Sequence, residues 1–406
     1  MNLTDLPLST QRDLTFKHNR AVGRHGWLRL TPAYSVKLVN QILDAHPQIT
    51  HVLDPFCGTG TTSLVCAERG IASTSLDINP FLIWFARVKT ATHDAETLRA
   101  AFDTLQNWQR GSYPTLKTRF IPPIQHIERW WSSDTLDGLS DVHAGISAIE
   151  DQRVRDLFFV AFCQLIIETS NAAFNHQSMS FKAPASDQPL LFEINRHERF
   201  WERFCAFGQT ILDSCRQPLS PTPQILHADA RAIPSLTDID GVITSPPYPN
   251  RMSYIRELRP YMYWLGFLKD AREAGELDWQ AIGGTWGIAT SRVSKWQPPA
   301  KSLPYASFAG IITSIAERSP TLANYVHKYF MDVWAHLTSL QGILRADALV
   351  HYVVGNSKFY DTVVPTEQIY AALLSAIGFV DVQIQPIRKR NSKKELVEFI
   401  VSARKA

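Results

Sequence analysis

The stretch THVLDPFCGTGTTSLVCAERG, residues 50–70, decides the fold of this chain. A short apolar run leads to Asp54, a turn with Gly58 and Gly60 follows, and an apolar segment then runs to Gly70. Glycine lets the backbone approach a ligand closely, and the first turn of a helix has unpaired N–H groups. The stretch therefore predicts a strand, a ligand-binding turn and a helix, with a plain tight turn as the alternative.

The type of ligand follows from what the turn lacks. A phosphate-binding P-loop requires a lysine after its last glycine, and none is present here. A dinucleotide fingerprint requires a third glycine, where Ser63 stands instead. S-Adenosylmethionine has a zwitterionic methionine end and needs no phosphate cradle, so the turn favours this cofactor.

Asp77 ends the next predicted strand, IASTSLDINP (residues 71–80). A carboxylate at that place can accept hydrogen bonds from ribose hydroxyls. NAD would require the same acid, and an ordinary helix-capping acid is equally compatible with the pattern. Asp77 therefore supports a ribose-containing cofactor without identifying it.

The neighbouring segments alternate between helical and strand patterns, which predicts a parallel sheet. Residues 30–46 predict a helix with Thr31 as N-cap and Pro32 in its first turn, and residues 81–91 predict a second helix. Later strands are predicted in residues 224–230, 240–248 and 348–357, and an antiparallel hairpin in residues 380–405.

The middle of the chain follows another pattern and suggests a division into residues 1–94, 95–220 and 221–406. Residues 95–220 predict a largely helical insertion, with helices in 156–174 and 198–215 and a polar loop in 175–191. Residues 268–325, rich in Gly, Ser and Pro, predict mobile loops.

A second motif, TSPPY (residues 244–248), follows an apolar run. Proline has a fixed φ and no N–H group, so the pair holds Ser245 and Tyr248 at a set separation. A pocket that clamps a flat polar group would use such a bracket, and a Pro-rich surface turn is the alternative.

Together these motifs resemble those of the amino-directed DNA methyltransferases. The family's cofactor loop is similar to DPFCGTGT, its catalytic motif to TSPPY, and its flanking helix to RLTPAYSVKLVNQIL, and the resemblance covers residues 20–90 and 225–405. It implies a Rossmann-like class I methyltransferase fold of the α/β class, with a mixed seven-stranded sheet and a terminal antiparallel hairpin. The implied S-adenosylmethionine-binding residues are Asp54, Pro55, Phe56, Gly58, Gly60, Thr61, Asp77, Asp229 and Thr31.

The resemblance also implies a catalytic role for Ser245, Pro246, Pro247 and Tyr248. The Ser245 hydroxyl and the Pro246 carbonyl would accept hydrogen bonds from an exocyclic amine, and Tyr248 would stack on a base flipped out of duplex DNA. Within the family, serine at the first position is typical of cytosine-N4 enzymes and aspartate of adenine-N6 enzymes. Cytosine-N4 is therefore expected, with adenine-N6, RNA base methylation, or a nucleic-acid-binding module with a vestigial cofactor site as alternatives.

Recognition of the DNA target is expected in the insertion (residues 95–220), in residues 268–325, or in both. Further residues are candidates for contacts with DNA. Arg251, Arg256 and Arg259 alternate with Tyr254, Tyr261 and Tyr263, as on a nucleic-acid face or on an ordinary amphipathic helix. The basic segment RKRNSKK (residues 388–394) would contact phosphates or form an exposed hairpin turn. Asn356 would line the base pocket or form a turn, and for His25 packing is favoured over cofactor contact.

Composition narrows the class of protein. The net charge is +3, so a surface for DNA must be local, and the five cysteines show no metal-binding or disulfide spacing. No signal peptide or membrane span is apparent. We expect a soluble cytoplasmic protein without metal, with duplex DNA as its partner and a cognate restriction endonuclease as a further candidate partner.

Overall fold

The computed structural model describes residues 14–28, 34–114, 119–173, 180–181, 196–390 and 395–406. Its strands are β1 (His51–Asp54), β2 (Ala72–Asp77), β3 (Ala172–Ala173), β4 (Ser180–Phe181), β5 (Gln224–His227), β6 (Ile239–Thr244), β7 (Leu344–Gly355), β8 (Ser357–Phe359), β9 (Thr362–Val364), β10 (Phe379–Lys389) and β11 (Val397–Lys405). Strands β3 and β4 form one small antiparallel pair, and β8 and β9 form another.

Seven of these strands form one mixed sheet in the order β10-β11-β7-β6-β1-β2-β5. Strands β5, β2, β1, β6 and β7 run parallel to one another, and β11 runs antiparallel to both β7 and β10. This is the Rossmann-like class I methyltransferase fold, and the prediction of an antiparallel last strand is confirmed. The order in which strands are added to the sheet reverses between β1 and β6: β2 and β5 lie on one side of β1, and β6 and β7 lie on the other. The carboxyl ends of β1 and β6 therefore border the crevice where such sheets bind ligands.

The helices cover both faces of the sheet and extend beyond it. They are α1 (Phe16–Asn19), α2 (Val36–Ala45), α3 (Thr61–Glu68), α4 (Pro80–Thr90), α5 (Ala95–Gln109), α6 (Ser133–Ser147), α7 (Gln152–Glu168), α8 (Arg196–Ser214), α9 (Tyr254–Trp264), α10 (Ala271–Gln280), α11 (Ile288–Lys295), α12 (Phe308–Ala316), α13 (Pro320–Gln341) and α14 (Thr366–Ala376). In the described ranges, no helix combines the length and apolar character needed to cross a membrane.

Helix α2 begins later than its sequence pattern predicted. Its N-cap is Ser35, whose hydroxyl accepts a hydrogen bond from the Lys37 N–H at 3.2 Å. Residues 34 and 35 are not helical, so the prediction of a helix starting near Pro32 was wrong. A serine next to the apolar run competes successfully with the Thr-Pro signal because its side chain satisfies a first-turn donor.

The predicted insertion is mainly helical and shares its core with the sheet's helices. Trp108 of α5 and Trp201 of α8 lie in the same buried cluster as Phe81 of α4 and Tyr261 of α9. Helix α7 ends at Glu168 instead of continuing to residue 174, since residues 172–173 pair with β4. The predicted loop at 175–191 lies mostly outside the described residues.

The prediction of mobile loops in residues 268–325 was wrong. This segment contains α10, α11 and α12 and the start of α13. Val293, Phe308 and Ile315 are buried in the same cluster as Tyr325 and Tyr329 of α13. The Gly and Pro residues separate short helices here, and burial against α13 supplies the stability that their local sequence lacks.

A buried arginine ties the first part of the chain to two helix ends. Arg24 is 4% exposed. Its guanidinium donates to the carbonyls of Lys89, Ala91, Ser214, Cys215 and Gln217, at 2.6–3.2 Å. These carbonyls lie at the carboxyl ends of α4 and α8, so this one side chain satisfies acceptors that the helices leave unpaired.

We expect Arg24→Ala to lower the free energy of unfolding by about 3 kcal/mol, because five buried or partly buried acceptors lose their charged donor. Urea unfolding followed by circular dichroism measures the change. Arg153→Ala is the control, because Arg153 is exposed and pairs with Asp94 at the surface. Equal stability of the two variants would contradict this role of Arg24.

Candidate active site

The two motifs meet at the carboxyl ends of β1 and β6. These strands are parallel neighbours, with Leu53 opposite Val242. The next residues bring Asp54 and Thr244 together, and the Thr244 hydroxyl donates to Asp54 Oδ1 at 2.6 Å. The glycine-rich turn and the segment 244–248 therefore form one site.

Asp54 is fully buried and only partly hydrogen-bonded. Its Oδ1 also accepts from the Phe56 N–H at 3.1 Å, whereas Oδ2 is buried with no hydrogen-bond partner among the described residues. Burial raises the pKa of Asp54 to about 6. An unpaired buried carboxylate oxygen is costly unless a donor or a cation reaches it, so the site suits a positively charged ligand group.

The glycine-rich turn has the conformation that its glycines permit. Gly58 and Gly60 have φ values of 51° and 70°, which is the left-handed region that glycine adopts without steric cost. A Cβ on Gly60 would lie 3.1 Å from the Cβ of Ala86. The turn therefore packs closely on α4, and a side chain at residue 60 would force the two apart.

Asp77 holds this turn in place. Its Oδ2 accepts from the Gly58 N–H and its Oδ1 from the Asn79 N–H, both at 2.9 Å. Burial raises the pKa of Asp77 to about 6. A carboxylate has further lone pairs beyond these two bonds, so bracing the turn is compatible with the predicted ribose contact.

A buried lysine supports the turn from α4 and was not predicted. Lys89 is 1% exposed, and its ammonium group donates to the carbonyl of Thr59 at 2.7 Å. Burial lowers the pKa of Lys89 to about 7. The sequence did contain a signal for this contact, namely a lysine inside the apolar stretch FLIWFARVKTA. A lysine is rarely buried without a specific partner.

The remaining predicted cofactor residues lie around this turn. Pro55 and Thr61 are buried, and the Phe56 ring packs edge-on against His336 at 4.9 Å. Asp229 follows β5, next to β2, where the Ala228 N–H donates to the Asp77 carbonyl at 3.1 Å. The Asp229 carboxylate also accepts from the Arg231 guanidinium at 2.7 Å, a pairing that was not predicted. Thr31 lies outside the described residues.

The two residues that flank the proline pair lie close together. Ser245 Oγ donates to the Tyr248 hydroxyl at 3.5 Å, and that hydroxyl donates to Glu398 Oε1 at 2.8 Å. Pro246 is buried, and the Pro247 carbonyl accepts from Tyr329 at 2.7 Å. The Pro247 carbonyl is thus committed to the fold, which leaves the predicted acceptor role with the Pro246 carbonyl.

The Tyr248 side chain stays protonated in this environment. Removal from water, followed by the nearby negative charge of Glu398, raises the pKa of Tyr248 well above its ordinary value. The guanidinium of Arg390 lies 4.8 Å from the centre of the ring. The ring therefore has a cation beside it and a hydroxyl that can donate at neutral pH.

Residues 248–253 are held by hydrogen bonds to α9 and to residues 268–325, the region that was predicted to be loops. The N–H groups of Tyr248 and Arg251 donate to the hydroxyls of Tyr254 and Tyr325, at 3.4 and 3.1 Å. Ser253 Oγ donates to Asp278 of α10 at 2.5 Å. Helices α10 and α13 thus support the catalytic motif.

The candidate DNA contacts divide into two groups. Tyr261 and Tyr263 are buried, and Arg259 lies 4.9 Å from the ring centre of Trp130, so this part of α9 is an ordinary amphipathic helix. The Asn356 side chain is engaged with the turn of the terminal hairpin, accepting from the Val397 N–H at 2.9 Å. Of the other candidates for DNA contact, Arg251 is exposed, Arg256 is partly exposed and Arg388 pairs with Glu398, and residues 391–394 lie outside the described ranges. His25, for which packing was favoured over cofactor contact, is buried and pairs with Glu68.

The sheet order and the joined motifs define a class I methyltransferase fold, and comparison with known proteins shows which families the chain resembles. Residues 36–197 match the model of the D12 class N6 adenine-specific DNA methyltransferases. The type II methyltransferase M.AvaI of a Nostoc species is 29% identical over 95% of this chain and 86% of its own length. M.MvaI of Kocuria varians is 22% identical over 85% of this chain and 78% of its length.

This chain is therefore similar to amino-directed DNA methyltransferases, over most of its length in the case of these two relatives. Among solved structures, an rRNA methyltransferase of Streptomyces viridochromogenes aligns with a TM-score of 0.34 and 14% identity, covering 96% of this chain and 92% of that protein.

Proposed function

We propose that this protein transfers a methyl group from S-adenosylmethionine to an exocyclic amino group of a base in DNA, as a type II methyltransferase. The observation that carries the proposal is the hydrogen bond between Thr244 and Asp54. It joins a cofactor-type turn to an amine-binding motif in one site. The similarity to type II methyltransferases over most of the chain supports DNA as the substrate.

The residues around the turn fit S-adenosylmethionine. The unpaired Oδ2 of Asp54 suits the ammonium group of its methionine end. Asp77, at the end of β2, suits the ribose hydroxyls. When bound, the cofactor supplies a methyl group on a positively charged sulfur.

The catalytic motif acts on the amine by electrostatic means. The lone pair of an exocyclic amine is delocalised into the base, so acceptors around its N–H groups help the nitrogen become tetrahedral. Ser245 and the Pro246 carbonyl are the proposed acceptors, held by the rigid proline pair before the substrate arrives. Tyr248 offers the surface on which a flipped base stacks.

Two target bases have support. The family model names adenine N6, so the comparisons support adenine-N6 methylation better than cytosine-N4 methylation. Ser245 favours cytosine N4, and it lies outside the matched residues 36–197. The chemistry of the motif is the same for both amines, so the base is a question of pocket shape.

A transfer assay tests the proposal. The protein is incubated with cofactor carrying a tritiated methyl group and with unmethylated genomic DNA or structured RNA. We expect the labelled methyl group to appear in DNA. Adding an excess of competitor DNA should lower this incorporation, whereas adding RNA should not. Label confined to RNA would contradict the proposal.

Cofactor affinity is expected to depend on pH. Because burial raises the pKa of Asp54 and Asp77 to about 6, both are increasingly protonated below that pH. A protonated Asp54 no longer attracts an ammonium group, so affinity falls as the pH falls. We expect the affinity for S-adenosylhomocysteine to be nearly constant between about pH 7 and 8 and to drop about tenfold per pH unit below about pH 6. Titration calorimetry measures this affinity. An unchanged affinity at pH 5 would contradict the proposal that an ionised Asp54 carboxylate binds the cofactor.

Each part of the chain has a proposed role. Residues 1–94 and 221–406 would form the methyltransferase domain, and residues 95–220 would serve target recognition. The segment 268–325 is helical and supports residues 248–253, which favours a bracing role over recognition. A cognate restriction endonuclease is proposed by analogy with the type II relatives.

A further inference from the structure

The terminal hairpin of the sheet contacts the catalytic motif directly. Glu398 of β11 is 5% exposed and accepts the hydrogen bond of the Tyr248 hydroxyl at 2.8 Å. The two residues are 150 positions apart in the chain. The hydroxyl end of Tyr248 is thus fixed by a strand that contains no part of the motif.

Glu398 is itself held in one orientation. Arg388 lies opposite it in β10 and donates to both of its oxygens, from Nε to Oε2 at 2.7 Å and from Nη2 to Oε1 at 3.2 Å. A buried carboxylate paired with an arginine in this way has little rotational freedom. Its remaining acceptor capacity is directed at Tyr248.

The ring of Tyr248 also rests on the backbone of β7. Gly355 is the register partner of Glu398 in β7. A Cβ on Gly355 would lie 2.9 Å from both Cδ2 and Cε2 of the ring, a distance that real Cβ contacts avoid. Residues Gly355 and Glu398, which are register partners, therefore contact the Tyr248 side chain at one side of its ring and at its hydroxyl.

We propose that Glu398 is a positioning residue for methyl transfer, which holds Tyr248 where the target base stacks and where Ser245 reaches its hydroxyl. The inference rests on the proposed function. Ser245 Oγ lies 3.5 Å from the Tyr248 hydroxyl, so a shift of the ring also changes the distance between the stacking surface and the amine acceptor. A misplacement of 1 Å costs a reaction about 100-fold.

A set of variants separates positioning from general stability. Glu398→Ala removes the acceptor, Tyr248→Phe removes the donor, and Glu398→Gln keeps an acceptor oxygen without the charge. Glu395→Ala is the matched control, because Glu395 belongs to the same hairpin but is more than half exposed and pairs with Lys358. The readouts are the single-turnover rate of methyl transfer to DNA, the Kd for S-adenosylhomocysteine and the melting temperature.

We expect Glu398→Ala and Tyr248→Phe each to slow transfer about 10- to 100-fold without changing the Kd for S-adenosylhomocysteine. The double variant should be no slower than the slower single variant, and Glu398→Gln should recover most of the rate. Glu395→Ala should transfer at the wild-type rate.

Other results would overturn the inference. These are a wild-type rate for Glu398→Ala, rate losses that multiply in the double variant, or a Glu398→Gln variant as slow as Tyr248→Phe. If Glu398→Ala fails to fold, Tyr248→Phe is compared with Tyr248→Phe/Glu398→Gln, and a further loss in the latter overturns the inference. No methyl transfer to DNA by the wild-type protein would instead overturn the proposed function, on which the inference depends.

Discussion

Ser245→Ala is expected to slow methyl transfer about 100- to 1,000-fold, because it removes a placed acceptor from the target amine. The cofactor site should be unaffected, since the side chain of Ser245 bonds to Tyr248 and not to the turn around Asp54. We therefore expect an unchanged Kd for S-adenosylhomocysteine alongside the lower rate. Single-turnover transfer and titration calorimetry provide the two measurements.

Ser314→Ala is the control for this prediction. Ser314 is exposed, and its hydroxyl bonds to Thr362 away from the site. A Ser245→Ala variant that transfers methyl groups as fast as Ser314→Ala would exclude the proposed role of the serine hydroxyl.

Asp54→Asn is expected to weaken cofactor binding by about 2–5 kcal/mol. The amide keeps the volume and can still accept from Thr244 and Phe56, but it removes the negative charge, and its NH₂ group takes the place of the unpaired oxygen. A donor at that place opposes an ammonium group. Titration of S-adenosylhomocysteine at pH 7.5 measures the loss.

Asp278→Asn is the matched control, since Asp278 is also buried. Its two oxygens accept from Ser253 and from the Trp286 N–H, so this variant should lose stability and keep its cofactor affinity. Equal affinities of the Asp54→Asn variant and the wild-type protein would show that Oδ2 does not contact the cofactor.

The sequence predicted the parts of the fold that depend on local pattern. Short-range signals exist for the strand around residue 52, for the turn at Gly58 and Gly60, and for the terminal hairpin. The helices in 268–325 were missed because their stability comes from burial against α13, which local composition does not contain.

The contacts that complete the site were beyond sequence reasoning for another reason. Thr244 and Asp54 are 190 positions apart, and Glu398 meets Tyr248 across 150. Each contact depends on the register of neighbouring strands, and a shift of one residue would turn the side chain to the other face of the sheet. The motifs identified the strand ends that form the site. The residues that contact each other across the site could be identified only in the assembled sheet.

Mass spectrometry of nucleosides tests the central claim most directly. The wild-type protein and Ser245→Ala are incubated with genomic DNA and cofactor carrying a trideuterated methyl group, and the DNA is digested to nucleosides. We predict label on the exocyclic amine of one base, N6-methyladenine or N4-methylcytosine, with little or none in the variant. Label on a ring carbon, or no label in DNA incubated with the wild-type protein, would contradict an amino-directed site built from Asp54 and residues 245–248.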